Sequence, residues 1–184
     1  MRTSALLSLI ALTACDAGVA ASPDPDPAIE PETVGEAPRA ADFRSPRVQR
    51  AMESASGVVR TRGFSVLGEP WRGFLVDQAA DVREQPMRAV TCYLVLGAAS
   101  SALRELNLRV FDSDGGEVVQ DAMDGPMAAL RFCPAQSGTY FVAVRAAAGS
   151  GLFEVRTFRG PTGLEVRIDD LFRDAPAEPP REAR

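Results

Sequence analysis

Apolar and polar residues alternate in short runs from about residue 63 to residue 158, and glycine, proline and aspartate separate the runs. In one run Leu106, Leu108 and Val110 alternate with Asn107 and Arg109, which is typical of a strand with one buried face. Repeated short strands favour an antiparallel β-sandwich of about seven to eight strands over a βαβ fold. The predicted strands cover residues 64–68, 71–76, 87–97, 106–110, 117–120, 128–133, 140–146 and 152–158. Residues 164–168 could add another strand, and 169–173 a helical turn.

Upstream of the strands, the apolar period becomes that of a helix between Pro46 and about Gly57. Proline is favoured in the first turn of a helix, and Ser45 stands where a cap is expected. We therefore predict a short helix whose apolar stripe packs on the sheet. The stripe consists of Val48, Ala51, Met52 and Ala55.

The amino terminus has the pattern of an export signal. Arg2 precedes an apolar run at residues 4–12, which is shorter than the roughly 20 residues that a membrane-spanning helix needs. The sequence Leu12-Thr13-Ala14-Cys15 then resembles the bacterial lipobox at each position. The resemblance implies thioether acylation of Cys15 and removal of residues 1–14. The alternative is an ordinary secretory signal in which the cysteine is incidental.

Residues 16–45 are rich in alanine, proline and acidic residues, with no apolar period, so we predict a disordered tether of roughly 30 Å as a coil. Between residues 46 and 173, arginines and acidic residues balance. A neutral body with an acidic leader argues against nucleic acid as a partner. The predicted organisation is a signal peptide at 1–14, lipidated cysteine and tether at 15–45, helix and connector at 46–62, sandwich at 63–173, and disordered tail at 174–184.

The chain contains no histidine, and all its basic residues are arginine. This composition excludes Ser-His-Asp and Cys-His catalysis and most zinc enzyme sites. No Gly-x-Ser-x-Gly motif occurs. The acid pairs Asp169-Asp170 and Asp121 with Asp124 are candidate catalytic carboxylates, but adjacent carboxylates on a terminal segment are commoner as solvated charge. We therefore predict that the chain is not an enzyme and needs no cofactor.

Two cysteines remain once Cys15 is assigned to lipid, and we predict that Cys92 and Cys133 form a structural disulfide in an oxidising compartment. A redox-active pair would need closer spacing. Asp112, Asp114 and Asp121, around the Gly115-Gly116 turn, are a candidate calcium site with the alternative of a plain hairpin turn. The spacing does not match an EF-hand.

Four aromatic residues could form a stacking surface for a sugar or a peptide. In a small sandwich, aromatic side chains more often belong to the core. The four are Trp71, Tyr93, Tyr140 and Phe141.

Several strand-and-turn segments together resemble the bacterial pre-peptidase C-terminal domain, over about residues 63–158. They are the segments at 92–95, 106–112, 138–144 and 149–155. The resemblance implies a jelly-roll-like β-sandwich that serves as a non-catalytic accessory or binding module. The family often has Asp-Leu-Asp-Leu where this chain has Glu105-Leu106-Asn107-Leu108, which weakens a transferred calcium or polar site at Asn107.

Together these features predict a lipoprotein of the bacterial cell envelope, held by its lipid to a membrane facing the periplasm or the exterior. It would display a non-catalytic β-sandwich that binds an envelope protein or a glycan. The alternative is a structural or assembly subunit of an envelope protein complex. The sequence leaves the choice of membrane, the partner and the oligomeric state open.

Overall fold

The computed structural model describes residues 45–173, so the signal sequence, Cys15, most of the predicted tether and the 174–184 tail lie outside the described residues. Helix α1, Pro46–Thr61, precedes eight strands. The strands are β1 Ser65–Leu75, β2 Ala80–Met87, β3 Thr91–Ala99, β4 Leu103–Phe111, β5 Glu117–Gln120, β6 Met127–Phe132, β7 Gly138–Gly149 and β8 Gly151–Pro161. In the described part of the chain, no helix is both long enough and apolar enough to cross a bilayer.

The strands form two antiparallel sheets of four, in the orders β1-β8-β3-β6 and β2-β7-β4-β5. β1 pairs with β8, β2 with β7, β3 with β6 and β4 with β5, as in one long hairpin that is folded into two layers. That arrangement is a jelly roll. The predicted all-β, antiparallel, jelly-roll-like sandwich is confirmed.

The main core lies between the sheets and takes the inward residues of both. Leu106, Leu108 and Val110 of β4 are fully buried there, as their alternation predicts. A second core lies on the outer face of the β1-β8-β3-β6 sheet, where α1 packs against β3 and β8. Because β3 is covered on both faces, its residues are buried almost without interruption, from Cys92 to Ala99. The helix stripe predicted from the sequence supplies this second core.

The strand predicted at 87–97 is wrong at its beginning. The chain reverses after Met87, and β3 begins only at Thr91. The preceding strand, β2, was not predicted. It is an edge strand, exposed along most of its length and containing Pro86, so it has neither the alternation nor the apolar content of a strand in a sheet centre.

Two other predictions need correction. The strands expected at 64–68 and 71–76 are one strand, β1, with an irregularity in its pairing between Leu67 and Trp71. No strand forms at 164–168. The segment instead leads to a single 3-10 turn, Ile168–Asp170, and its apolar side chains pack on the second core, together with Leu171.

The sandwich has two ends, which we call the entry end and the disulfide end. At the entry end, Ser45 lines the same cavity as Leu152, near the start of β8. At the disulfide end, Cys92 lies opposite Gly160, near the end of β8. β8 contains 11 residues, so the two ends are about 30 Å apart at roughly 3.3 Å per strand residue.

Candidate functional site

The candidate site is a groove of about 210 Å³ at the edge of the sandwich, where β1 of one sheet faces β2 of the other. It combines an apolar floor with a rim of charged and polar side chains. We call it the β1–β2 groove. Its lining residues are Leu67, Gly68, Glu69, Trp71, Arg83, Glu84, Gln85, Val142, Val155 and Thr157.

The irregularity in β1 forms one wall of the groove. Leu67 pairs with Thr157 and Trp71 pairs with Val155, so β1 uses two more residues than β8 over this stretch. Gly68 has a φ of 70°, a conformation that side-chain-bearing residues rarely adopt. Pro70 has no N–H to donate to the ladder. Glycine and proline together therefore let residues 68–70 bulge out of the ladder within β1.

Trp71 organises the floor. Its side chain is 5% exposed and makes an edge-to-face contact with Phe153, with ring centroids 5.6 Å apart. The indole N–H donates to Asp81 Oδ2 over 3.2 Å. The guanidinium of Arg83 lies 4.8 Å from the ring centroid, in cation–π geometry. Trp71 thus places the positive charge of Arg83 at the rim of the groove.

The groove has the composition of a binding site. Trp71, Val142 and Val155 form a largely buried apolar floor, whereas Glu69, Arg83, Gln85 and Thr157 bring charges and hydrogen-bonding groups around it. Concave apolar surface with a few converging polar groups is the usual form of a ligand site.

The four candidate stacking aromatics do not share one surface. Trp71, Tyr93 and Tyr140 are core residues, at most 9% exposed. Phe141 is half-buried on the outer face of the β2-β7-β4-β5 sheet, directly opposite Phe111 of β4. Only Trp71 contributes to the groove.

The predicted disulfide is confirmed. Cys92 of β3 and Cys133, just after β6, are bonded with their Cα atoms 4.1 Å apart. Cys92 is fully buried in the second core, and Arg131 Nη2 lies 3.5 Å from its sulfur. The bond joins neighbouring strands of one sheet beneath α1, which is a structural position.

The structure does not bring the three calcium candidates together. Asp112 and Asp114 border a cavity at the disulfide end, where Asp112 Oδ1 accepts from the backbone N–H groups of Asp114 and Gly116. Asp121 lies beyond the far end of β5 and accepts from the N–H groups of Leu108 and Met123. Within residues 45–173, no group of three or more Cys, Asp or Glu side chains is placed to hold a metal ion.

The Asp121 carboxyl has a raised pKa. Burial raises it above its ordinary value of 3.8, although the N–H groups of Leu108 and Met123 and the charge of Arg109 oppose the shift. A raised acid pKa means that the folded state binds the proton more tightly than the unfolded chain. The stabilisation from this proton is therefore complete below pH 3.8 and is lost as pH rises through the folded pKa.

We expect a carboxyl-detected NMR titration of Asp121 to have its midpoint above 3.8. Asp114 is an exposed aspartate of the neighbouring turn and serves as the comparison signal in the same spectra. An Asp121 midpoint at or below 3.8 would show that the backbone hydrogen bonds outweigh burial.

A buried charge cluster lies beneath α1, and sequence reasoning missed it. Glu154 Oε2 lies 2.6 Å from Arg72 Nε, and Oε1 lies 2.5 Å from Arg156 Nε. Arg156 Nη1 also donates to Ser56 Oγ of the helix over 3.1 Å. The Glu154 side chain is only 4% exposed. The Glu154 carboxylate therefore joins β1 to β8, and Arg156 joins β8 to the helix.

The acid pair Asp169-Asp170 serves a local role. Asp170 forms ion pairs with Arg167 and Arg173 across the 3-10 turn. The two arginine side chains are largely exposed. These exposed ion pairs agree with the interpretation of Asp169-Asp170 as solvated charge.

No family model matches the chain, and no curated protein matches it. Among solved structures, it is similar to the pre-peptidase C-terminal domain of collagenase from Bacillus anthracis, with 14% identity and a TM-score of 0.42 over 50% of this chain and 89% of that one. It is also similar to PliG of Aeromonas hydrophila, a periplasmic inhibitor of g-type lysozyme, with 15% identity and a TM-score of 0.39 over 54% and 88%. At this level, neither likeness bears on the function of the chain.

Proposed function

We propose that the protein is a lipid-anchored component of the bacterial cell envelope whose sandwich binds another macromolecule without catalysis. The ligand is an envelope protein segment or a glycan, and it lies in the β1–β2 groove. The anchor is Cys15, which follows a lipobox-like sequence. The acidic, proline-rich segment that follows gives the sandwich reach from the membrane surface.

The observation that carries the binding role is the Trp71–Arg83 pair. An exposed cation that lies 4.8 Å from a buried indole, beside the half-buried Leu67, is already arranged for a ligand. Preorganised groups lose less conformational entropy when they bind, so they contribute more to affinity.

The compartment is supported by the Cys92–Cys133 bond. Disulfides persist in oxidising compartments such as the periplasm or the cell surface and are rare in the cytosol. A lipid-modified cysteine at residue 15 would place the body in that environment. Two or three acyl chains, at about 0.8 kcal/mol per buried methylene, give effectively permanent attachment.

A second candidate function, assembly subunit of an envelope complex, has one observation in its favour. Helix α1 packs on the β1-β8-β3-β6 sheet. The outer face of the other sheet presents Phe111 opposite Phe141, with the exposed Val82 on its edge strand. Apolar side chains on an outer sheet face suit packing against a protein.

Palmitate labelling tests the anchor. In cells grown with labelled palmitate, we expect the intact chain to incorporate label and Cys15→Ala to lose it, because the thioether forms on that sulfur. Cys133→Ala is a matched control that keeps Cys15 and should stay labelled. Equal labelling of the Cys15→Ala chain would contradict the anchor.

Photo-cross-linking tests the groove. A benzophenone amino acid at Glu69, in the groove wall, should yield discrete adducts in the native envelope, to protein or to glycan. Arg83→Ala should reduce the adducts roughly two- to fivefold, since a cation–π contact of an exposed arginine is worth about 0.5–1 kcal/mol. Arg104→Ala changes an exposed arginine outside the groove lining and should leave them unchanged. Adducts that persist in Arg83→Ala would place the ligand elsewhere.

A further inference from the structure

The turn between β2 and β3 holds a strained and exposed valine. Val90 has a φ of 56°, in the left-handed region, where a β-branched side chain is a genuine outlier. It is also 82% exposed, the highest value among the exposed large apolar residues of the described chain. The unfavourable backbone is therefore not compensated by burial of the side chain. Strain of this kind is concentrated at functional sites.

The surrounding structure holds the turn in place. The Arg88 N–H donates to the hydroxyl of buried Tyr93 over 2.8 Å, and the Ala89 N–H donates to Ser137 Oγ over 2.9 Å. Two residues beyond Val90, Cys92 is covalently bonded to Cys133. The valine is thus presented on a rigid support, ready for contact.

The surface around Val90 is positively charged. Arg88 and Arg159 line a cavity of about 410 Å³ beside it, and the lining contains no acidic residue. Among residues 45–173, neither guanidinium lies within ion-pair distance of a carboxylate. Unneutralised charge at one place in a body that is neutral overall favours a negatively charged partner. We call Arg88, Val90, Thr91 and Arg159 the Val90 surface.

We propose that the Val90 surface docks a protein partner that presents an apolar pocket edged by carboxylates. Val90 enters the pocket, and Arg88 and Arg159 pair with the carboxylates. One valine offers too few methylenes for stable insertion into a bilayer, which favours protein over lipid. The surface lies at the disulfide end, about 30 Å from Ser45, where the tether joins the body.

The proposal uses residues outside the lining of the β1–β2 groove. Cross-linking from Glu69 tests the groove, and the experiments below use positions 88 to 90 and 159. Either result can fail while the other holds. A protein adduct at the Val90 surface would favour the assembly-subunit function.

The first test is Val90→Gly in the purified chain. Glycine adopts a positive φ without a steric clash, so we expect the melting temperature to rise by roughly 3 °C. The same change should weaken partner binding, because the apolar contact is removed. Substitution of a residue with a purely structural role would not raise the melting temperature and weaken partner binding together. A lower melting temperature for Val90→Gly would overturn the strain on which the proposal rests.

The second test is benzophenone cross-linking from Ala89 in the full-length protein in its own cells. We expect one protein adduct whose linked segment, mapped by mass spectrometry, contains apolar residues flanked by Asp or Glu. The double variant Arg88→Glu/Arg159→Glu and the variant Val90→Gly should each reduce it more than tenfold. Arg104→Glu, a single charge reversal at the entry end, should not. Adducts only to lipid or glycan, a linked segment without acids, or adducts insensitive to the Arg88 and Arg159 reversals would overturn the proposal.

Discussion

Replacing both Cys92 and Cys133 by alanine should lower the free energy of unfolding by about 4 kcal/mol. The bond closes a loop with a sequence separation of 41 and so restricts the unfolded chain. It also joins β3 to the segment just after β6. The strands β3 and β6 themselves pair over only six residues, at the edge of the sheet. A domain of this size has a total stability of about 5–15 kcal/mol, so the loss is a large share of it.

Urea unfolding followed by circular dichroism measures the loss. The oxidised wild type is compared with its reduced form and with the double alanine variant. The reduced form and the variant should unfold at the same urea concentration, below that of the oxidised protein. In thermal scans both should melt roughly 10–15 °C below the oxidised protein. The double variant is also the control for the reductant, because its own transition should not move when reductant is added. Coincident transitions for oxidised and reduced wild type would show that the bond contributes little.

Replacing Glu154 by alanine should cost about 3 kcal/mol, because it leaves two arginines beneath α1 without their shared carboxylate. Arg72 and Arg156 have side chains only 25% and 15% exposed, so water replaces the lost partner incompletely. The helix would lose part of its attachment, since Arg156 also binds Ser56. We therefore expect faster hydrogen exchange in α1 as well as a lower midpoint of unfolding.

The matched control is Glu117→Ala. Glu117 pairs with Arg109 on the surface, both side chains being 35% exposed. Exposed ion pairs contribute about 0–1 kcal/mol, so this variant should unfold close to the wild type. If Glu154→Ala and Glu117→Ala cost the same, the buried cluster is not what holds α1 to the sheet.

The fold followed from the sequence wherever one face of a strand is buried. The alternation of Leu106, Leu108 and Val110 identified β4, and the helical stripe around Met52 identified α1, although the helix continues beyond Gly57 to Thr61 and the strand begins at Leu103. Prediction failed where burial gives no periodic signal. The exposed edge strand β2 lacks such a signal, and the apolar residues of 164–168 cover a sheet face without joining it.

The candidate site could not be predicted from the sequence. The groove needs two edge strands from different sheets to face each other, and one of them, β2, had no strand pattern. Trp71 was singled out as an aromatic residue, but its contact with Arg83 depends on the pairing of β1 with β8 and of β2 with β7. Glu154 likewise occupies an ordinary polar position in an alternating strand, and only the docking of α1 makes it buried.

In the proposed arrangement, the attachment point and the two binding surfaces lie at different places on the sandwich. The acidic segment joins the sandwich at Ser45, at the entry end. The Val90 surface lies at the other end, and the groove runs along one edge between the sheets.

Intact mass spectrometry of the protein purified from its own membrane tests most directly whether it is an anchored, oxidised envelope protein. We expect a chain that begins at Cys15 and carries acyl groups, with Cys92 and Cys133 protected from alkylation until a reductant is added. An unprocessed chain of 184 residues with two alkylated inner thiols would contradict both the anchor and the compartment.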